Sequence, residues 1–154
     1  MKILYEELIS YDVDVKTSEE AIRYNADLLL KNGFVEEGYA DMVVEREKEF
    51  STGLIATGRG IAIPHTNPTL VNKQAICVLI PKEPVDFLMM GSTDQWVKAE
   101  VIIPLVIKEP DSQLTLLRKI VDLVQNDELI DEIYKCRDKK RTLELLSFLE
   151  DEEK

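Results

Sequence analysis

Three short apolar runs in the middle of the chain, Ile61–Ile63, Ala75–Ile80 and Val101–Ile107, limit what it can fold into. They are rich in β-branched residues and bounded by Gly, Pro and Asn, the pattern of buried strands. Successive rather than alternate residues are apolar, so a sheet built from them must be covered on both faces. Pro104 interrupts the third run. A proline has no N–H for a ladder, so it implies an edge, a bulge or a strand that starts late.

The flanking segments supply the cover. Thr17-Ser18-Glu19-Glu20 offers an N-cap and a capping-box glutamate, followed by Ile22, Ala26 and Leu29 at helical spacing and a stop at Asn32-Gly33. A second helix is expected from Tyr39 to about Lys48, with Met42 and Val43 inward and Glu45, Arg46, Glu47 and Lys48 toward solvent. After Glu109-Pro110, Asp111 or Ser112 can cap a helix whose apolar face is Leu114, Leu117, Val121 and Val124. Asp127 can cap another that buries Leu129, Ile130 and Ile133. A last helix, near Thr142 to Glu150, repeats the pattern with Leu143, Leu146 and Leu149. Without repeats or a linker, this reads as one α/β domain over residues 1–154.

Composition narrows the function classes. The 154 residues carry a formal net charge of -11, which repels phosphate backbones and anionic headgroups, so nucleic-acid binding is not expected. The one basic stretch, Lys135 to Arg141, has Asp138 in its middle and reads as a solvated helix junction. No apolar run approaches the ~20 residues of a bilayer span, and the acidic N-terminus does not resemble a signal peptide, so a cytoplasmic location is expected. Cys77 and Cys136 match neither a metal knuckle nor a disulfide framework and are expected to be reduced thiols.

The only histidine, His65, follows Ile61-Ala62-Ile63-Pro64. A lone histidine is more often structural or merely exposed than nucleophilic. Here Pro64 cannot continue a ladder, so His65 would emerge where the chain leaves the sheet, a usual place for binding groups in α/β folds. Gly53, Gly58 and Gly60 before it and Thr66-Asn67-Pro68 after it suggest turns that let backbone amides approach the imidazole. The glycines lack the spacing of a nucleotide-binding loop. One His and two Cys in unlike surroundings make no metal site, no GxSxG stretch points to a serine triad, and no cofactor is implied. What a single neutral imidazole can do is accept a group on a ring nitrogen.

Glu45-Arg46-Glu47, the link Ser51-Thr52-Gly53 and Gly60-Ile61-Ala62-Ile63-Pro64-His65 resemble the phosphorylation-site region of the fructose/mannitol-type enzyme IIA domains of the bacterial phosphoenolpyruvate-dependent sugar phosphotransferase system. The resemblance covers nearly the whole chain. It implies an α/β fold with a mixed, mostly parallel β-sheet flanked by helices, and a phosphotransferase role. His65 would accept a phosphoryl group from the histidine-containing phosphocarrier protein and pass it to a IIB component. The membrane component IIC would be met only indirectly. The competing reading of the same fold is a regulatory module whose phosphorylation on His65 controls binding to a target protein.

Charge on a phosphoryl group in flight is spread over its oxygens, so donors aimed at them matter most. Arg46 matches the family's arginine and is the first candidate; a solvated place at a charged helix end is its competing reading. Arg59, nearer to His65 in sequence, is the second, against a solvated loop position. Many members carry a further histidine at the start of the helix after the third strand, where Asp111-Ser112-Gln113-Leu114 stands here. Gln113 can donate a hydrogen bond but cannot carry positive charge, and its competing reading is an ordinary first-turn residue. This pattern most resembles the galactitol-type branch.

Overall fold

The computed structural model describes residues 2–56, 58–108 and 110–150, and within them the side chains of all but residues 56 and 110–113. Eight strands and five α-helices occur among them. In chain order these are β1 (Ile9–Val13), α1 (Ser18–Lys31), α2 (Tyr39–Glu49), β2 (Gly53–Ala56), β3 (Arg59–Ala62), β4 (Ala75–Ile76), β5 (Val78–Pro81), β6 (Val85–Leu88), β7 (Trp96–Ile102), β8 (Leu105–Val106), α3 (Pro110–Gln125), α4 (Asp127–Cys136) and α5 (Lys139–Leu146).

The main sheet runs β1-β5-β7-β3-β2, with β6 also on β7, and β4 pairs with β8 in a second, two-stranded sheet. The sheet is mixed, as expected, but not mostly parallel. Among the described pairings in the main sheet, β1–β5 and β3–β7 are parallel, whereas β2–β3, β5–β7 and β6–β7 are antiparallel. Short links make the difference: β2 to β3 and β6 to β7 are joined too closely for a crossover, which a parallel pair requires.

Neighbouring strand residues bury into opposite layers. Ala62, Leu79 and Ile102 pack with Ala26, Leu29, Val43 and Val44 of α1 and α2. Ile61, Ile80 and Val101 pack with Leu116, Ile120, Ile130 and Ile133 of α3 and α4. Helical cover on both faces is why the strand runs are continuously apolar.

Two of the three expected strands are split, and at facing points. The second run breaks at Cys77 into β4 and β5, and the third breaks at Ile103-Pro104 into β7 and β8. Cys77 N–H donates to the Pro104 carbonyl (2.9 Å), but Pro104 has no N–H to return, so the ladder is interrupted and the chain passes from one sheet to the other.

Thr17 caps α1 through its hydroxyl, which accepts from Glu20 N–H at 3.1 Å, while Glu20 reaches back to Thr17 and to Lys16 N–H. The cap of α4 is Asn126 rather than Asp127, its Oδ1 accepting from Leu129 N–H at 3.1 Å. Asp138 caps α5, which begins earlier than expected. The caps proposed for α3, Asp111 and Ser112, lie outside the described side chains.

The apolar face of α3 also differs from expectation. Leu116, Ile120, Leu123 and Val124 are buried, whereas Leu114, Leu117 and Val121 are 70%, 37% and 49% exposed. The helix carries two apolar stripes, and the one buried against the sheet and α4 is Leu116, Ile120, Leu123 and Val124.

Candidate functional site

β2 and β3 pair antiparallel, with Gly53 opposite Ala62. The start of β2 and the end of β3 therefore lie at one end of the sheet, and so does the end of β7, where Ile102 is opposite Ala62. Beyond β3 the chain stays tied to its neighbour: Ile103 N–H donates to Ala62 O (2.8 Å) and Leu105 N–H to Pro64 O (3.0 Å). Pro64 is buried beside a small pocket lined by Ile22, Asn25, Ala26, Tyr39, Val43 and Pro104. His65 follows at this anchored end, half-buried.

Its ring has a fixed polarity. Nδ1 lies 2.8 Å from the Ile63 carbonyl oxygen. A carbonyl can only accept, so Nδ1 carries the proton and Nε2 of the neutral ring keeps its lone pair. Beyond it, Asn67 Oδ1 accepts from Thr69 N–H (3.0 Å) and caps the turn Pro68–Leu70.

Of the three glycines expected to bring amides to the imidazole, none does so as a turn beside it. Gly58 lies in the β2–β3 hairpin, at the far end of β3 from His65, with φ +87°. Gly53 and Gly60 are strand residues at close backbone approaches. A Cβ on Gly53 would stand 2.7 Å from Leu88 O, and one on Gly60 would stand 2.0 Å from Lys98 O. Met90 N–H also donates to Gly53 O (2.8 Å), bringing the start of β2 back to the end of β6.

Arg46 lies in the last turn of α2, exposed, with its guanidinium 4.0 Å from the centroid of the Phe50 ring. The pairing of Gly53 with Ala62 brings the α2–β2 turn and the His65 segment to one end of the sheet, and among the described residues Arg46 makes no hydrogen bond to His65. Gln113 falls in the first turn of α3, and its side chain lies outside the described residues.

Arg59 is neither a solvated loop residue nor near His65. It opens β3, at the end opposite His65, where it pairs with Glu100 of β7 and Asp131 of α4 and stacks 4.0 Å from the Tyr134 ring centroid. Hydrogen bonding from Arg59, with Lys135 assisting, holds the Asp131 carboxyl below the usual carboxylate range.

Glu47, expected to face solvent, is 8% exposed. Its carboxylate accepts from Thr52 N–H (2.8 Å) and Thr52 Oγ1 (2.7 Å). Burial raises its pKa, with the two Thr52 donors opposing. The signal was present in the sequence: Glu47 follows Val43 and Val44 at helical spacing, on the inward face.

Both cysteines are free, and burial pushes the Cys77 thiol up to about 12. No group of three or more His, Cys, Asp or Glu is placed to hold a metal ion among the described residues. No helix among them is long and apolar enough to cross a membrane.

Fold and site together define an α/β domain that displays one imidazole, with Nε2 available, at an anchored strand end. A model of the family "Phosphoenolpyruvate-dependent sugar phosphotransferase system, EIIA 2" matches residues 2–148. The chain is 29% identical over 112 residues to the galactitol-specific EIIA component of Escherichia coli strain K12, covering 73% of this chain and 74% of that one. It is 30% identical over 151 residues to the mannitol-specific enzyme IIA component of Halalkalibacterium halodurans, covering 96% and 94%. Among solved structures, the complex of enzyme IIA mannitol and phosphorylated enzyme IIB mannitol from Escherichia coli matches with TM-score 0.77 and 24% identity, covering 94% of this chain and 97% of that one. The chain belongs to this EIIA family. It is a phosphotransferase component of the sugar phosphotransferase system, a carrier of phosphoryl groups.

Proposed function

We propose that His65 accepts the phosphoryl group on Nε2, from the histidine-containing phosphocarrier protein, and passes it to a IIB component in the cytoplasm. The observation that carries this reading is the hydrogen bond between Nδ1 and the Ile63 carbonyl, which leaves the Nε2 lone pair as the nucleophile. In the transfer, the donor's N–P bond breaks and its electron pair returns to the donor imidazole. The Nε2–P bond forms on His65, whose Nδ1 keeps its proton and donates it in the hydrogen bond to the Ile63 carbonyl, which supports the positive charge the ring acquires.

Arg46 is the first donor to the phosphoryl oxygens in this reading. Its helix end and the His65 segment share one end of the sheet, and a guanidinium offers a planar fork suited to phosphate. Gln113 is the second, as a neutral amide. Likeness to the mannitol IIA–IIB complex supports a IIB partner, and likeness to the galactitol-specific component of Escherichia coli supports galactitol as the sugar.

The experiment is to incubate the protein with phosphoenolpyruvate, enzyme I and the phosphocarrier protein, and to assign the labelled nitrogen by nuclear magnetic resonance. The expected result is one acid-labile phosphoryl group on Nε2, absent from His65→Ala. Labelling of His65→Ala, or attachment at Nδ1, overturns the reading. Onward transfer to a IIB protein separates a transport component from a regulatory module.

A further inference from the structure

Glu47 is an expensive residue where it stands. A carboxylate at 8% exposure has lost most of its hydration, and no cation pairs with it among the described residues. Its partners are the two donors of Thr52, while Ser51 Oγ donates to the Glu47 backbone carbonyl at 3.4 Å. These bonds all bridge the end of α2 to the start of β2. They span the turn that holds Phe50, whose N–H donates to Arg46 O (2.7 Å) and whose ring lies under the Arg46 guanidinium. The residue after Thr52, Gly53, pairs with Ala62 on the strand that leads to His65.

We propose that Glu47 is a positioning residue for phosphoryl transfer: its clamp on Thr52 sets the turn that presents Arg46, on its Phe50 platform, to the end of the sheet that bears His65. This rests on the reading of Arg46 as a phosphoryl donor. Arg46 is exposed and has many rotamers, so its place is only as defined as the backbone and ring beneath it. A carboxylate can receive both Thr52 donors at once. The amide of glutamine can accept from Thr52 N–H only by turning its NH2 to Thr52 Oγ1, which then accepts and leaves its own hydroxyl hydrogen without the acceptor it had, so the turn relaxes without loss of side-chain volume.

The test measures the rate of transfer from the phosphorylated carrier protein to the full chain, over a range of carrier concentrations. The proteins compared are the wild type, Glu47→Gln, Arg46→Ala and the double variant. Glu47→Gln is expected to lower the maximal rate about 10-fold, less than the ~100-fold that a displacement of 1 Å can cost. Half-saturation should stay where it is in the wild type, because docking is untouched. In the Arg46→Ala background the same substitution should change nothing further, since the residue it positions is gone. Thr52→Val should reproduce the loss and Thr52→Ser should rescue it, which keeps the test decisive if Glu47→Gln folds poorly. A full rate in both Glu47→Gln and Thr52→Val overturns the proposal, as does an equal loss with and without Arg46. Wild-type transfer by Arg46→Ala removes the donor reading itself and the proposal with it.

Discussion

Replacing Gly60 by alanine tests how β3 holds His65. The new Cβ would stand 2.0 Å from the Lys98 carbonyl oxygen and 2.8 Å from Val97 Cγ1. A side chain such as valine can turn away, but a carbonyl in a central ladder moves only with its strand. Real Cβ contacts stay beyond 3.0 Å, so β3 and β7 must part by at least 1 Å at the register shift between Gly60 and Ile61. Overpacking of this kind costs about 1–3 kcal/mol, and a buried ladder group left unpaired adds roughly 1–3 kcal/mol. A total near 3 kcal/mol or more corresponds to a fall in Tm of about 6–12 °C for a chain of this size. Thermal unfolding followed by circular dichroism measures it, with Gly58→Ala as the comparison. Gly58 has φ +87° but open space at its Cβ position, so its substitution carries only left-handed backbone strain, about 1–2 kcal/mol. Because Ile61 and Ala62 transmit any strand shift to Pro64 and His65, phosphorylation of Gly60→Ala should also slow. A Tm within about 2 °C of the wild type, or a smaller fall than in Gly58→Ala, refutes the close-approach argument.

Arg59→Met leaves Glu100 without the cation it shares with Asp131 and leaves Asp131 with Lys135 alone, so the Tm should fall modestly. His65 labelling should proceed at the wild-type rate, and slowed labelling would return Arg59 to the site. Glu47 binds its proton more tightly folded than unfolded, so wild-type stability falls as pH rises from the unfolded carboxyl value, about 4.3, through the raised folded value. Glu47→Gln lacks this dependence, and the wild-type Tm minus the variant Tm should shrink with rising pH across that window; a flat difference contradicts the buried carboxylate. The proposed role of Gln113 predicts that Gln113→His shifts the phosphoryl equilibrium toward this protein, most strongly below pH ~6.5, and that Gln113→Leu shifts it away. Coincident titrations of the phosphorylated fraction would make the first turn of α3 purely structural.

Local sequence determined the features that depend on neighbours a few residues apart. The Thr17–Glu20 capping box places α1, helical spacing places α2, and Pro64 ends the pairing of β3 so that His65 emerges at the strand end. The strand runs were legible because burial on both faces demands continuous apolar residues. β1 was not: Ser10, Tyr11 and Asp12 interrupt its apolar residues, and Asp12 takes φ +56° at an irregularity in the pairing with β5.

Tertiary structure decided whatever had two locally equivalent solutions. α3 carries two apolar stripes, and only packing against the sheet and α4 selects Leu116, Ile120 and Leu123 over Leu114, Leu117 and Val121. Arg59 reads locally as a hairpin charge, yet its partners Glu100 and Asp131 come from distant parts of the chain and hold it at the end of β3 away from His65. Gly53 and Gly60 read as turn residues because nothing local reveals that a neighbouring carbonyl lies within 3 Å of where a Cβ would stand. The orientation of the His65 ring is likewise a product of the fold. Nδ1 meets the Ile63 carbonyl because Ala62 and Pro64 are pinned to Ile103 and Leu105, contacts between segments that approach only once the sheet is formed.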